Sequence, residues 1–314
     1  MAIGDVYAVV AGGAASPQES AMLDQIAAEA LADASRQTGA AYRLGDRTTS
    51  GESGSTFTVE ADGEALLLKV EPGGRIGAHR RAAAACAHLG AQGYPAPRVL
   101  AMGEVPGFAY SLRTYLPGAP MDPRDGRHAA ALIELVERQA GGAAAVGLLD
   151  PADWPGSVVD PVLNGGEGFC VLETMRAHSV ESAALLDRVQ ALVRAGRDRL
   201  PPADDIVHHD FNPANILVES GEVTGVIDWE GVGAGDRAFD LAVLLFYAYA
   251  APAARTALWV RLAQLRPPPA IGVYLAHICL RQAEWSLRRH APELGRFYLQ
   301  RAHAVLGDLA RLGV

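Results

Sequence analysis

Residues 206–241 read IVHHDFNPANILVESGEVTGVIDWEGVGAGDRAFDL, and this stretch decides the fold. Two short apolar runs, Ile216–Val218 and Val223–Ile227, flank the polar turn Glu219-Ser220-Gly221-Glu222, the pattern of a β-hairpin. Asp210 and Asn215 stand just before the first strand, and Asp228 stands just after the second. Because a hairpin folds back on itself, this layout predicts that a carboxylate, an amide oxygen and a second carboxylate converge. Hard oxygen donors of that kind suit Mg2+, which keeps several waters and takes its other ligands from substrate phosphates.

His208-x-Asp210-x4-Asn215 resembles the catalytic loop of the kinase superfamily. Asp228, after Val226-Ile227, resembles the metal-binding aspartate that follows that loop. The tail Gly235-Asp236-Arg237-x-x-Asp240-Leu241-Ala242 is similar to the aminoglycoside phosphotransferase branch, and the resemblance runs from roughly Tyr42 to the C-terminus. It implies an α+β, two-lobed protein-kinase-like fold. A small N-terminal antiparallel-sheet lobe (1–114) precedes a larger, mostly helical C-terminal lobe (115–314). It also implies roles: Asp210 is the catalytic group that accepts or orients the proton of an attacking hydroxyl, and Asn215 and Asp228 hold Mg2+ at the phosphates of ATP, with GTP an open alternative. His208 props the loop. His209 takes the place of the glycine found in relatives, and Asp240 is expected to bond backbone near the loop.

The rest of the chain bounds this reading. Its 314 residues suffice for two lobes, and half of them are hydrophobic. A net charge of −9 argues against a nucleic-acid partner and is compatible with a cationic small-molecule acceptor. Cys86, Cys170 and Cys279 are widely spaced, form no metal pattern, and read as reduced core residues. The start MAIGDVYAVVAGG lacks the basic opening of a signal peptide, and the longest apolar run, Leu241–Ala254, is too short to span a bilayer. A cytoplasmic protein without membrane partners is expected, as a monomer or a homodimer.

Of 27 basic residues 26 are arginine, so Lys69 is the single lysine. It ends the apolar strand Ala65–Lys69, where a surface charge is unexpected. The preceding strand Ser55–Ala61 is joined to it by Asp62-Gly63, a two-residue hairpin signal. Upstream lies a loop of small residues in which Ser53, Gly54 and Ser55 would let backbone N–H groups approach phosphates. In kinase-like folds this layout places a flap over the nucleotide and a lysine against its α/β-phosphates. Relatives pair that lysine with a glutamate from the next helix, here Ala78–Gln92. The expected position is Ala82, and the helix holds no acidic residue. Either another acid replaces it, with Glu71 a candidate on the same strand face, or the nucleotide alone holds Lys69.

Arg98–Glu104 and Gly107–Thr114 read as further strands, and Arg113 and Tyr115 are placed by position at an adenine-binding hinge. An N-terminal helix over 16–37 reads as a cover without chemistry. A helix is expected from His128 to Leu148. The Pro/Gly-rich segment Leu149–Cys170, with Trp154, is expected to be an irregular substrate lid. Helices follow to the C-terminus. Glu284 and Trp285, with Gln282, are candidates for gripping substrate ammonium groups, and Glu230 is expected to face either solvent or substrate.

Only seven residues separate Asp228 from Asp236, which leaves no room for the activation loop of protein kinases. The expected function is therefore ATP-dependent O-phosphorylation of a small molecule, an antibiotic such as an aminoglycoside or a cationic peptide. A metabolic small-alcohol kinase of the choline or homoserine type is the alternative within the class. An inactive nucleotide-binding regulator, suggested by Ala82, is the alternative outside it.

Overall fold

The computed structural model describes residues 17–48, 55–148, 153–166 and 168–311, so Ser53 and Gly54 lie outside the described residues. The chain is mixed α+β and divides into two compact units. The first is 1–118 with 224–232, and the second is 119–223 with 233–314. The return of Thr224–Val232 to the first unit is a crossing that no single cut after Thr114 contains.

The first unit is built on a five-stranded antiparallel sheet: β1 (Arg43–Arg47), β2 (Ser55–Ala61), β3 (Glu64–Pro72), β4 (Val99–Val105) and β5 (Phe108–Thr114), in the order β1-β2-β3-β5-β4. Asp62 and Gly63 turn β2 into β3 with φ of 51° and 81°, the left-handed pair that a two-residue hairpin needs. Strand alternation then sorts β3 by face. Leu66, Leu68 and Val70 join Phe57, Val59, Tyr110 and Leu112 in one core with helix α1 (Pro17–Thr38), which contributes Leu23, Ile26, Ala27, Ala30, Leu31 and Ala34. Lys69 and Glu71 are on the other face, with Ser111 opposite Lys69 and Ala109 opposite Glu71. Helix α2 (Ile76–Gly90) contributes the buried His79, Ala82, Ala85, Cys86 and Leu89 and packs against the turn Trp229–Gly231.

The second unit opens with β6 (Ala119–Pro120), which pairs with β8 (Ile216–Glu219). Helix α3 covers only Ala129–Glu137, not the whole of His128–Leu148. Gly141, with φ of 66°, interrupts the expected helix, and Ala144–Val146 makes a separate 3-10 turn. Helix α4 (Asp153–Asn164) corrects the expected irregular lid. Trp154, Val158, Val159 and Val162 recur at helical spacing and are all buried, so burial of one face overrides the Pro/Gly content. Helices α5 (Leu172–His178) and α6 (Val180–Gly196) follow, the latter with a Ser179/Ser182 capping box. Strand β7 (Asp205–Val207) leads into the loop of Asp210. After β8, Ser220 and Gly221 make the turn, β9 (Glu222–Val226) returns, and β10 (Gly233–Gly235) pairs antiparallel with β7. Helices α7 (Ala238–Tyr247), α8 (Pro252–Leu265), α9 (Pro268–Arg289) and α10 (Pro292–Arg311) complete the unit, with α9 packed against α4, α6, α7 and α10. No described helix is long and apolar enough to cross a membrane. The three cysteines are free and buried.

Candidate active site

In the first unit, β3 presents Lys69 into a nest of acids. Its ammonium is 2.5 Å from Asp228, 3.2 Å from Glu230 and 3.6 Å from Glu71. The missing helix acid is thus replaced, and by two residues: Glu71, two positions along the same strand face, and Glu230, from the turn after β9. Burial works against the lysine charge, but Glu230, Asp228 and Glu71 outweigh it and hold the pKa above the ordinary value. Burial likewise opposes the Glu230 charge, yet Arg113 and Lys69 keep its carboxyl well below the usual range. Asp228 shifts the other way. Burial raises it, Lys69 pulls it back, and Glu230 adds to the rise.

This geometry corrects two expectations. Glu230 faces neither solvent nor substrate: it is buried and salt-bridged to Arg113 as well as Lys69. Two buried cations need a counter-charge, and Glu230 supplies it. Arg113 sits within β5, opposite Leu67, and its guanidinium is committed to Glu230 and Ser111 Oγ. Tyr115, by contrast, is an exposed residue whose N–H donates to the Ala65 carbonyl. Ser55 is buried at the start of β2, opposite Val70.

His79 on α2 was not singled out by the sequence. Its Nε2 is 3.2 Å from Glu71 and its Nδ1 is 3.8 Å from Glu230. The ligand atoms of Glu71, His79 and Glu230 all lie within 4.8 Å of one another, which is a donor set for a metal ion. Lys69 and Arg113 already neutralise those two carboxylates, so the charge a divalent ion would bring is in place.

In the second unit, the loop after β7 carries the other half of the motif. Asp240 on α7 accepts from the N–H groups of His208 (2.8 Å) and His209 (3.0 Å), the structural role expected of it. Asp236 is equally committed, accepting from Arg266, Tyr274 and the Ala238 N–H. His209 adopts φ of 67°, a left-handed conformation that explains why glycine suits this position. Asp210 is left 45% exposed, the availability that a proton acceptor needs. Asn215 donates from Nδ2 to the Asp210 carbonyl (2.9 Å) and carboxylate (3.0 Å), so its amide nitrogen, not its oxygen, is engaged with the loop. Arg281 of α9, also missed in the sequence, lies 3.5 Å from Asp210 and donates to the His209 carbonyl.

The expected substrate residues of this unit are placed differently. Trp154 is core, ringed by His209, Phe239 and Tyr274 at centroid distances of 5.8, 5.8 and 5.9 Å. Glu284 is fully buried and accepts from Arg288 Nε at 2.5 Å, so its carboxylate is already neutralised. Trp285 is half-buried, with Arg288 and Arg289 over its ring. Gln282 is likewise half-buried.

A lysine embedded among acids in an antiparallel sheet, and, in the other unit, a half-exposed aspartate on a loop pinned by a buried one, are features that phosphoryl-transfer enzymes also carry. The sequence model of the phosphotransferase enzyme family (APH) matches residues 47–271, and the chain belongs to that family. The hygromycin-B 4-O-kinase of Escherichia coli is 34% identical over 68 residues, a match that spans 19% of this chain and 20% of that protein. The fold is that of a thermostable mutant of aminoglycoside phosphotransferase APH(4)-Ia, solved in ternary complex with ADP and hygromycin B. It matches with a TM-score of 0.65 at 19% identity over 88% of this chain and 97% of the other. Macrolide 2'-phosphotransferase MphH from Brachybacterium faecium matches with a TM-score of 0.53 at 21% identity over 89% and 98%.

Proposed function

We propose that this protein transfers the γ-phosphoryl group of ATP to a hydroxyl of a small-molecule antibiotic, of the aminoglycoside class to which hygromycin B belongs. The family match and the substrates of the relatives support the class of reaction and acceptor. The observation that carries the reading is Asp210, held half-exposed on its loop with Asn215 locked against it. Asp210 accepts or orients the hydroxyl proton. Lys69 holds the nucleotide phosphates, with the backbone of Ser53, Gly54 and Ser55 and the hinge around Tyr115 as further nucleotide contacts. Asn215 carries an amide oxygen and Asp228 a partly exposed carboxylate, the kind of hard oxygen donors that Mg2+ takes. That ion, when bound, neutralises charge on the phosphates. Glu230 and Glu284 are buried ion-pair members, so a cationic acceptor is recognised by other groups. We place the enzyme in the cytoplasm, where ATP and Mg2+ are available, as a monomer or homodimer.

The test is ADP release with MgATP against aminoglycosides, cationic peptides, macrolides, choline and homoserine, with Asp210→Ala in parallel. Acceptor-dependent release with an aminoglycoside, lowered about 10²–10⁴-fold in the variant, is expected. Turnover with choline or homoserine alone would move the assignment to a metabolic kinase. ATP binding without turnover on any acceptor would point to a regulator.

A further inference from the structure

The three carboxylates around Lys69 are unequal. The Asp228 side chain is 41% exposed, whereas those of Glu71 and Glu230 are 1% and 4% exposed. A carboxylate that takes a cation gives up its lysine, so with Asp228 engaged the ammonium rests on Glu71 and Glu230 alone. Those two acids belong to different segments, β3 and the turn after β9. The group between them is the His79 ring, one nitrogen toward each. Helix α2 has no acidic side chain of its own to offer.

The ring is also in an unusual state for a core histidine. It is buried, yet its Nδ1, 3.8 Å from Glu230, completes no hydrogen bond. Buried polar atoms left without such bonds cost stability, and an apolar residue would fill the same space without that cost.

We infer that His79 is a positioning residue for nucleotide binding. It spaces Glu71 and Glu230 so that they hold Lys69 extended when Asp228 releases it. Helix α2 is thereby tied to the lysine through a histidine and two acids instead of a direct ion pair. The inference rests on the reading of Lys69 as a nucleotide ligand.

Calorimetric titration of the full-length protein with MgATP tests it, alongside KM for the acceptor and thermal melting. His79→Phe keeps the ring volume and removes both nitrogens; it is expected to weaken MgATP binding about tenfold while leaving the acceptor KM unchanged. Glu71→Gln is expected to show the same nucleotide-specific loss. The double variant is expected to bind no more weakly than His79→Phe, because both changes break one chain of contacts. Wild-type MgATP affinity in His79→Phe, or losses that multiply in the double variant, would overturn the inference. So would a loss shared equally by nucleotide and acceptor in step with a lower melting temperature. Lys69→Met separates the two readings. Unchanged MgATP affinity there removes the nucleotide role of Lys69 and this inference with it, whereas a loss there with none in His79→Phe removes the inference alone. If His79→Phe does not fold, His79→Gln with Glu71→Gln decides by the same criteria.

Discussion

At the scale of single residues, burial separates the ion pairs that matter from those that do not. Glu230 is the shared counter-charge of Lys69 and Arg113, all three largely out of water. Glu230→Ala leaves two buried cations short of a partner and is expected to destabilise the protein by about 3–5 kcal/mol in urea unfolding. Arg43–Glu60 is an ion pair too, but both side chains are more than half exposed, and Arg43→Ala is expected to leave the midpoint unchanged. Equal losses in the two variants would show that the buried network carries no special weight. His209 sets two effects against each other. Glycine there would relieve a left-handed backbone worth about 1–2 kcal/mol. It would also delete a half-buried ring packed on Trp154 and Phe239, worth about 2–3 kcal/mol. Packing is the larger, so His209→Gly is expected to lower the melting temperature. Asp210, Asn215, Asp228 and Lys69 were singled out as candidates in the sequence because a short motif, or a solitary lysine in an apolar strand, marks each one. The His79–Glu71–Glu230 contact was not, because its members are joined only by folding, and no local pattern relates positions 71, 79 and 230.

At the scale of elements, periodicity was readable wherever turn chemistry did not obscure it. The Asp62-Gly63 hairpin with its two strands, and the strands expected at Arg98–Glu104 and Gly107–Thr114, fall within a few residues of the expected bounds. Helix α4 did not, because Pro155, Pro161 and neighbouring glycines disguise a regular buried stripe. Pro155 is tolerated because the first turn of a helix has no partner for its missing N–H. The distinction between core helix and lid is measurable. Trp154→Ala removes a fully buried indole and is expected to cost about 3–5 kcal/mol of stability while the folded fraction keeps its acceptor KM. A raised acceptor KM with unchanged unfolding would restore the lid. The shortened α3 teaches the complementary point: Gly141 breaks a stretch whose apolar spacing alone predicts continuation.

At the scale of the whole molecule, the buried His277 and Asp240 and the half-buried His209 of the second unit contribute to how stability responds to acid. Burial, with Arg281 adding to it, pushes His209 down to about 3 and His277 down to about 4, against about 6.5 unfolded. Both rings are neutral in the folded chain and take up a proton on unfolding once the pH drops below about 6.5, so their contribution is full above that pH and falls as acid is added. Asp240 acts in the opposite sense. Burial raises it to about 6, so the folded form holds a proton that the unfolded form has released, and its unfavourable contribution shrinks as pH falls below 6. Between pH 6.5 and 5 the two histidines together remove about 3 kcal/mol and Asp240 returns about 1, a net loss of about 2 kcal/mol. Urea unfolding followed by circular dichroism at those two pH values is expected to show that drop. In His277→Gln one of the two uptake sites is gone, and the drop is expected to shrink to below about 1 kcal/mol, a nearly flat profile. A wild-type midpoint that does not move between pH 6.5 and 5, or a His277→Gln profile parallel to it, would mean that the two rings are not held neutral by the packing of α9 against α4 and α7.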